Sequence, residues 1–431
     1  MRFRFIHAAD LHLDTPFEGI AQVSPEAAVH LRDASLMALD AVVDLAVERK
    51  VAFVLLAGDL YDGAQRGVRA QLRFLQGVER LAAHGVRTFV VHGNHDPLGG
   101  WPVVRHWPSE VTLFGSDEVV GVPVEIDGQR VATVFGLSYG RRDVTENLSL
   151  RFPRAGTRSR ADGLKIGLLH CSVGDQPDHS PYSPCSLADL SRADIDYWAL
   201  GHVHRSAILR GGSPWVVYPG NTQGRSAKPA EAGAKGVMLV EVQDAGIRCV
   251  EPVPVDSVRF VDTSLDVSLL DEGADLGVLR TELLRQALAA REQNAGRALL
   301  LRATLLGRGP IHLDLASVGA VTDLFSDLQE SFSGAAPPVW WESLRDRTLP
   351  QLDLSVVRSR DDFSASLLAL AEAAADDPAK RDELARLLVP TAPADLARLY
   401  GAPSWEDMTQ LLEEAYLEAL DALESEAPTC A

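Results

Sequence analysis

Short polar motifs with the residue types of a metal-binding site occur five times in the first half of the chain. Each follows an apolar run of about four residues that ends abruptly in Gly, Asp or His. Such a run predicts a buried strand whose carboxyl end opens into a loop. The motifs are Asp10-Leu11-His12, Gly58-Asp59-Leu60-Tyr61-Asp62, Gly93-Asn94-His95-Asp96, His170 and Gly201-His202-Val203-His204.

The chemistry of these residue types is that of a phosphoesterase with two metal ions. Imidazole, carboxylate and amide ligands together suit a borderline-hard divalent cation, so Mn²⁺ is expected, with Fe²⁺, Zn²⁺ or Mg²⁺ as alternatives. Ligands at strand ends of an α/β sheet meet in one crevice. Two cations roughly 3.5–4 Å apart can hold the oxygens of a phosphodiester and turn water into a hydroxide nucleophile.

A site with two cations assigns different roles to these side chains. One carboxylate must reach both cations, and Asp59 is the candidate for that role. His95 is next to a candidate ligand and is expected to point the other way, where it can stabilise charge or protonate the leaving oxygen. The remaining candidate ligands are about as many as two cations need: Asp10, His12, Asn94, His170, His202 and His204.

Single motifs have simpler explanations. An isolated Asp-x-His is a surface coincidence about as often as it is a functional motif. Gly-Asp-x-x-Asp alone can be a turn that caps a helix. Gly-Asn-His-Asp and Gly-His-x-His after a strand are more specific. The complete set, in this order and at these spacings, therefore predicts a metal site better than any one motif does.

The elements that must position the motifs alternate between strand and helix over residues 1–255. Ser24-Pro25 begins a helix, with a capping residue followed by Pro at the first helical position. That helix runs to Arg49-Lys50, and a second is predicted from Val68 to His84. Further strands are predicted at Val131–Leu137, Val216–Tyr218 and Gly236–Val242.

Two further regions follow. Residues 256–355 are predicted to form a small α+β unit with strands near Arg259–Val267 and Ala298–Leu306 and a helix near Leu276–Gln293. From about residue 360 the pattern is helical, with apolar side chains at helical spacing. The members of this apolar stripe include Trp405, Met408, Leu412, Tyr416 and Leu420.

Charge and composition restrict the function classes. The 431 residues carry a net charge of −19, and residues 361–431 hold 16 acidic and 4 basic residues, a net of −12. The acidic tail argues against DNA binding by that region and leaves the first 360 residues near balance. No apolar run approaches the roughly 18 residues of a membrane span, and no signal peptide is visible. We therefore expect a cytoplasmic protein.

The motif set resembles the calcineurin-like metallophosphoesterase superfamily. Within it, the run from Phe5 to Phe17 resembles the start of SbcD-like DNA repair exonucleases, most closely the YhaO-type branch. One departure is Ser226, which stands where that branch has His. Three more stretches carry the resemblance, and they are Gly174–Leu187, Tyr218–Arg225 and Gly233–Gly236.

The resemblance implies a ligand set. The first metal would be held by Asp10, His12, Asp59 and His204, and the second by Asp59, Asn94, His170 and His202. His95 would be the acid that contacts the phosphate, oriented by a carboxylate such as Asp62. The SbcD-like branch often has His at position 62 and phosphatases often have Asp, so this position does not separate a nuclease from a phosphatase.

The resemblance also implies an architecture and partners. The fold would be a four-layer αββα sandwich (1–255), followed by a small α+β capping domain (256–355) and a helical C-terminal region (360–431). The substrate would be DNA, and the tail would dock an SbcC-like coiled-coil ATPase, with a homodimer as a further assembly. Three alternatives stay open: an enzyme for small nucleotides or other phosphoesters, a non-catalytic scaffold for an ATPase, and an apolar stripe that packs on the chain's own core.

Overall fold

A computed structural model of the chain describes residues 2–15, 25–63, 67–100, 102–154, 163–174, 181–244, 246–271, 273–332, 334–380, 383 and 405–426. The chain divides into two units. Unit one comprises Met1–Thr263, Leu284–Ala303 and Phe325–Leu344, and unit two comprises Ser264–Leu283, Thr304–Leu324 and Arg345–Ala431. The three domains expected from the sequence have other boundaries, and they stay a prediction.

The first sheet of unit one has six strands. They are β1 (Arg2–Ala8), β2 (Phe53–Ala57), β3 (Arg87–Val91), β4 (Val111–Leu113), β11 (Gly236–Gln243) and β12 (Gly246–Pro254). Their order in the sheet is β12-β11-β1-β2-β3-β4. The four strands from β1 to β4 are parallel, and β11 and β12 extend the sheet by antiparallel pairing.

The second sheet also has six strands. They are β5 (Val120–Ile126), β6 (Gln129–Leu137), β7 (Leu164–His170), β8 (Tyr197–Gly201), β9 (Ala207–Arg210) and β10 (Trp215–Tyr218). Their order in the sheet is β5-β6-β7-β8-β10-β9. The strands β6, β7, β8 and β10 are parallel, with an antiparallel strand at each edge.

The two sheets pack face to face and helices cover their outer faces. Alternate residues of each strand point inward, so the rings of Phe5 and Tyr197 meet edge to face at 5.4 Å. The outer face of the first sheet packs on α1 (Pro25–Glu48) and α2 (Val68–Ala83). The outer face of the second packs on α3 (Leu187–Arg192) and neighbouring loops. The expected αββα sandwich is confirmed, and the first two helices lie where the sequence predicted them.

His7 joins the two sheets in their buried core. Its Nε2 donates to the carbonyl oxygen of Leu200 at 3.0 Å, which leaves Nδ1 to accept from the Tyr197 hydroxyl at 3.0 Å. Burial disfavours the imidazolium and lowers the pKa of His7 to about 3, although the bond to Leu200 acts the other way. His7 is therefore a neutral structural residue of the core.

A third sheet contains three strands, and helices connect them. The elements are β13 (Val258–Asp266), α4 (Leu276–Gln293), β14 (Ala298–Leu306), α5 (Ile311–Leu315), α6 (Ala320–Ser331) and β15 (Val339–Asp346). The strand order is β13-β14-β15. The strands β13 and β14 and the helix α4 begin and end within about two residues of the predicted strands and helix.

The C-terminal part of the described chain includes the helices α7 (Leu354–Ser359), α8 (Phe363–Asp376) and α9 (Trp405–Glu426). Leu420 of α9 is fully buried and, with Tyr416, packs on α7 and α8. These two members of the apolar stripe therefore pack against other helices of the same chain. The side chains of Trp405 and Met408 lie outside the described residues. In the parts of the chain that the structure covers, no helix combines the length and apolarity of a membrane span.

Candidate metal centre

The carboxyl ends of five parallel strands bring the motifs to one edge of the sandwich. Asp10, Asp59 and Asn94 follow β1, β2 and β3, which are neighbours in the first sheet. His170 is the last residue of β7, and His202 follows the adjacent strand β8. Contacts between β2 and both β7 and β8 bring the two edges together, so the motifs converge as the sequence predicted.

Glycine at the start of three of the five motifs lets the two sheets approach closely at this edge. A Cβ atom on Gly93 would lie 2.3 Å from Oδ1 of Asp59, and one on Gly58 would lie 2.4 Å from Nδ1 of His170. A Cβ atom on Gly201 would lie 1.9 Å from the carbonyl oxygen of Ala57. No side chain fits at these positions, because each contact is far shorter than a van der Waals separation.

Several candidate ligands have a strained backbone. Asp10, His12 and Asp59 have φ values of 51°, 43° and 52°, and His202 has a φ of 103°. Residues other than glycine rarely adopt this left-handed region, and each costs of the order of 1–3 kcal/mol. The surrounding sheets hold these residues in place, which fixes the direction of their side chains.

A first group of ligand atoms is formed by Asp10, His12 and His204, all within 4.8 Å of one another. The Nε2 atoms of His12 and His204 face each other at 3.2 Å. Two nitrogen ligands on one cation at about 2.1 Å would be separated by about 3.0–3.4 Å. The spacing of the two imidazoles therefore fits a shared cation.

A second group of ligand atoms is formed by Asp10, Asp59 and His170. The Nε2 atom of His170 lies 3.3 Å from Oδ2 of Asp59 and 2.9 Å from Oδ1 of Asn94. Its Nδ1 donates to the carbonyl oxygen of Ala57 at 2.9 Å, which directs Nε2 toward the site. Asp10 is the carboxylate common to both groups, and Asp59 belongs to the second. The bridging role of Asp59 stays a prediction.

His202 contributes to the site in a different way from the other candidates. Its main-chain N–H donates to both carboxylate oxygens of Asp10, at 3.0 and 3.1 Å. Its ring lies edge to face with the rings of His170 and Tyr182, with centroids 5.3 and 5.5 Å away. The main chain of His202 therefore holds Asp10 in place, and a ligand role for its imidazole stays a prediction.

His95 and Asp62 form a close pair beside the candidate ligands. Nδ1 of His95 lies 2.5 Å from Oδ1 of Asp62, and the His95 main-chain N–H donates to Oδ1 of Asp59 at 2.9 Å. Burial disfavours the imidazolium of His95, but the bond to Asp62 and the charges of Asp59 and Asp62 together outweigh burial and raise the pKa of His95. His95, Asp62 and His12 also meet the distance criterion of a ligand group. The geometry fits an acid oriented by a carboxylate, as the sequence predicted, and the roles stay predictions.

The buried carboxylates Asp10 and Asp59 have pKa values that are shifted in opposite directions. Burial raises the pKa of Asp10 to about 6. Burial also opposes ionisation of Asp59, but the charge and hydrogen bond of His170, with the charges of His12 and His95, together overcome it and hold the pKa of Asp59 well below its usual range. Burial disfavours the imidazolium of His170, but its interactions with Asp59, Asp10 and the Ala57 carbonyl together raise the pKa of His170 to about 9. A cation at this site must therefore displace a proton from His170.

Two supporting carboxylates were not assigned a role from the sequence. Asp96 accepts from the main-chain N–H groups of Asp59, Leu60 and Gly93 at 2.8–3.2 Å, so it ties the second and third motifs together. Glu231 places Oε1 at 2.6 Å from Nδ1 of His204. Asp96 completes the Gly-Asn-His-Asp motif and offered a signal. Glu231 lies in a polar run without a pattern and offered none.

The donor set fits divalent cations. Three carboxylates and five imidazoles crowd one edge, and Asn94 adds an amide oxygen, so the ligand types are those of Mn²⁺, Fe²⁺ or Zn²⁺ sites. The carboxylates would repel one another without a positive charge between them. Such a site can hold a phosphoester and activate water.

Comparison with known proteins agrees with this geometry. The family model of calcineurin-like phosphoesterases matches residues 3–206. The family model of the middle domain of metallophosphoesterase YhaO matches residues 260–349. The uncharacterized metallophosphoesterase YhaO of Bacillus subtilis (strain 168) is 35% identical over 81% of this chain and 83% of its own length. The SbcD component of the nuclease SbcCD from the same organism is 26% identical over 56% of this chain and 66% of its own length.

A more distant relative is the DNA double-strand break repair protein Mre11 of Methanocaldococcus jannaschii, which is 22% identical over 61% of this chain and 69% of its own length. The match to YhaO extends over most of both chains at an identity above 30%. The strand-end motifs, the αββα sandwich and these matches lead to one conclusion: the chain belongs to the calcineurin-like phosphoesterase family and is a metallophosphoesterase.

Proposed function

We propose that this chain is a metal-dependent DNA exonuclease that hydrolyses phosphodiester bonds with an activated water. The observation that carries the proposal is the overlap of two ligand groups through Asp10, each with ligand atoms within 4.8 Å. A site of that size suits two cations roughly 3.5–4 Å apart. The choice of DNA is supported by the names of two relatives, a component of a nuclease and a double-strand break repair protein.

In the proposed mechanism the chain's own residues hold the cations and move one proton. Asp10, His12 and His204 would hold one cation, Asn94, His170 and His202 the other, and Asp59 both. When bound, the cations would polarise the phosphoryl oxygens and lower the pKa of the attacking water. His95 would donate a proton to the leaving oxygen, and Asp62 would keep its ring oriented through the 2.5 Å contact.

One observation favours a second candidate function. Position 62 is an aspartate, as is often found in phosphatases of the superfamily, and it pairs with His95. Hydrolysis of small nucleotides or other phosphoesters is therefore the alternative activity. A non-catalytic scaffold is less well supported, because every candidate ligand is present in the sequence.

A direct assay separates these possibilities. Labelled single-stranded and double-stranded DNA are incubated with the protein and Mn²⁺, beside bis(p-nitrophenyl) phosphate as a generic small phosphodiester. Asp59→Asn is the inactive variant. Asp127→Asn is the matched control, because Asp127 lies at an exposed hairpin turn with a φ of 50°, which asparagine tolerates.

The nuclease proposal requires shortening of DNA from its ends by the unaltered protein and by Asp127→Asn, but not by Asp59→Asn. Hydrolysis of the small ester alone would replace it with the alternative activity. Absence of both activities from the folded, metal-loaded, unaltered protein would support the alternative of a non-catalytic scaffold. Replacing Mn²⁺ by Fe²⁺, Zn²⁺ or Mg²⁺ identifies the preferred cation.

We further propose an SbcC-like coiled-coil ATPase as partner in DNA repair in the cytoplasm, with a homodimer as a further assembly. Support comes from the relative named as one component of SbcCD and from the acidic tail. Because Tyr416 and Leu420 pack internally, the contact is assigned to α8, where Phe363 and Leu370 are 69% and 72% exposed. These two residues are seven apart and share one helix face.

Binding to a purified SbcC-like ATPase tests the partner proposal. The double substitution of Phe363 and Leu370 by Ser should abolish co-elution, whereas Leu313→Ser should not. Leu313 is 71% exposed on α5 and serves as the matched control. Co-elution of the double variant at the original strength would rule out the α8 face.

A further inference from the structure

Arg225 is attached to both parts of the candidate site. Its main-chain N–H donates to Oε2 of Glu231 at 3.1 Å, and the other oxygen of Glu231 contacts His204. Its Nη1 donates to Oδ2 of Asp62 at 3.1 Å, and the other oxygen of Asp62 contacts His95. Glu231, the partner of the candidate ligand His204, thus holds the backbone of Arg225. Asp62, the partner of the candidate acid His95, holds the side chain of Arg225.

The guanidinium of Arg225 has donors to spare. An arginine carries five N–H donors, and among the residues that the structure describes its side chain has one acceptor, Asp62. The Nε–H is buried without an acceptor in the described chain, while 19% of the side chain remains exposed. A donor in this state calls for a further acceptor.

The charge around Arg225 indicates what that acceptor is. The guanidinium lies beside the candidate ligands, because its acceptor Asp62 also contacts His95, and the ring of His95 meets that of His12 edge to face at 5.0 Å. Two divalent cations would add further positive charge beside it. Only an anion gains from all of these charges at once, and the planar guanidinium matches the oxygens of a phosphoryl group.

We propose that Arg225 binds a non-bridging oxygen of the phosphoryl group that is cleaved, and that Asp62 positions Arg225 and His95 side by side. This inference rests on the proposed phosphoesterase site and names the residue that holds the substrate there. Asp62 then has two functions, one for each carboxylate oxygen. Arg225 is a substrate-binding residue and Asp62 a positioning residue.

The test measures binding of inorganic phosphate to the full-length, Mn²⁺-loaded protein by calorimetry, and inhibition by phosphate in the small-ester assay. Arg225→Gln should weaken phosphate binding by about 10–150-fold, the effect of losing a hydrogen bond between charged groups. The phosphate affinity of Arg225→Lys should lie between that of the unaltered protein and that of Arg225→Gln, since lysine keeps the positive charge but lacks the forked donors of the guanidinium. Bound Mn²⁺ should be unchanged in both variants.

Two controls separate binding from structure and from general charge. Arg205→Gln removes an exposed arginine next to His204 and should change phosphate affinity by less than about twofold. Free guanidinium ion should restore part of the phosphate affinity and turnover of Arg225→Ala. A residue that only supported the fold would not be rescued in this way.

Unchanged phosphate affinity in Arg225→Gln, or an equal loss in Arg205→Gln, would overturn the inference, as would failure of the unaltered protein to bind phosphate. These outcomes are distinct from failure of the proposed nuclease function. A protein that binds phosphate through Arg225 but leaves DNA intact would keep the inference and remove DNA as the substrate.

Discussion

Oε1 of Glu231 lies 2.6 Å from Nδ1 of His204, whose Nε2 faces Nε2 of His12 at 3.2 Å. Burial opposes ionisation of Glu231, but the bond to His204 and its charge, with Asn221 and Lys235, together outweigh burial and lower the pKa of Glu231 to about 2. The ionised carboxylate keeps the proton on Nδ1, so the lone pair on Nε2 is directed at the candidate cation. This arrangement orients imidazole ligands and makes them more basic.

Glu231→Gln should weaken Mn²⁺ binding by about 10–100-fold, the usual cost of removing such a partner. The amide cannot replace the carboxylate, because Oε2 accepts from Asn221 and from the main chain of Arg225. Titration of the metal-free protein with Mn²⁺ measures the affinity. Glu79→Gln on the exposed face of α2 is the matched control. Equal affinities in all three proteins would show that Glu231 does not support the ligand.

Asp59→Asn should weaken both cation sites and abolish hydrolysis, because we expect this carboxylate to bridge the two ions. Metal content after dialysis and a crystal structure grown with Mn²⁺ measure the effect. Asp10→Asn is the informative comparison, since Asp10 is common to both ligand groups. One bound ion in the unaltered protein, or two ions without contact to Asp59, would contradict the bridging role.

His95→Gln should keep metal occupancy and DNA affinity while turnover falls by roughly 10²–10⁴-fold, the range of a general acid. The pKa of His95 is raised, so the acid is protonated at low pH and the rate should fall as the pH rises through that pKa. This alkaline limb should be absent in His95→Gln. His84→Gln, at the exposed end of α2, is the control. An unaltered rate, or loss of metal, would exclude the role.

His7 should make the fold sensitive to acid. Its pKa is about 3 in the folded protein against an ordinary value of about 6.5, so below about pH 6.5 the unfolded chain binds a proton that the folded chain does not. Stability is therefore present above pH 6.5 and lost toward pH 3, by up to about 1.4 kcal/mol per pH unit.

His7→Gln removes this proton while an amide N–H can still reach the Leu200 carbonyl. Denaturant unfolding of the metal-free unaltered protein and of His7→Gln between about pH 6.5 and 5 isolates the effect, because other groups that titrate in this range, such as Asp10 with a pKa of about 6, are common to both proteins. As the pH falls, the free energy of unfolding should decrease more steeply for the unaltered protein than for His7→Gln. The difference in slope should correspond to about one bound proton. Parallel slopes would mean that His7 is protonated in the folded state.

Local patterns in the amino-acid sequence were enough to predict most of the elements and the candidate ligands. Strands that end shortly before Asp10 and Asp59 and at His170 were predictable because apolar runs stop at polar residues, and parallel strands bring such ends to one edge. The helix α4 was predictable to the residue. These features depend on local periodicity, which a single sequence contains.

The side chains that support the site could be identified from the three-dimensional fold and not from the sequence. Arg225 and Asp62 are 163 positions apart, and their contact depends on how loops from two sheets meet. Asp10, as the carboxylate common to both ligand groups, and the burial of Leu420 against α7 and α8 are likewise products of packing. No local pattern encodes such contacts, because each is set by the positions of elements that are distant along the chain.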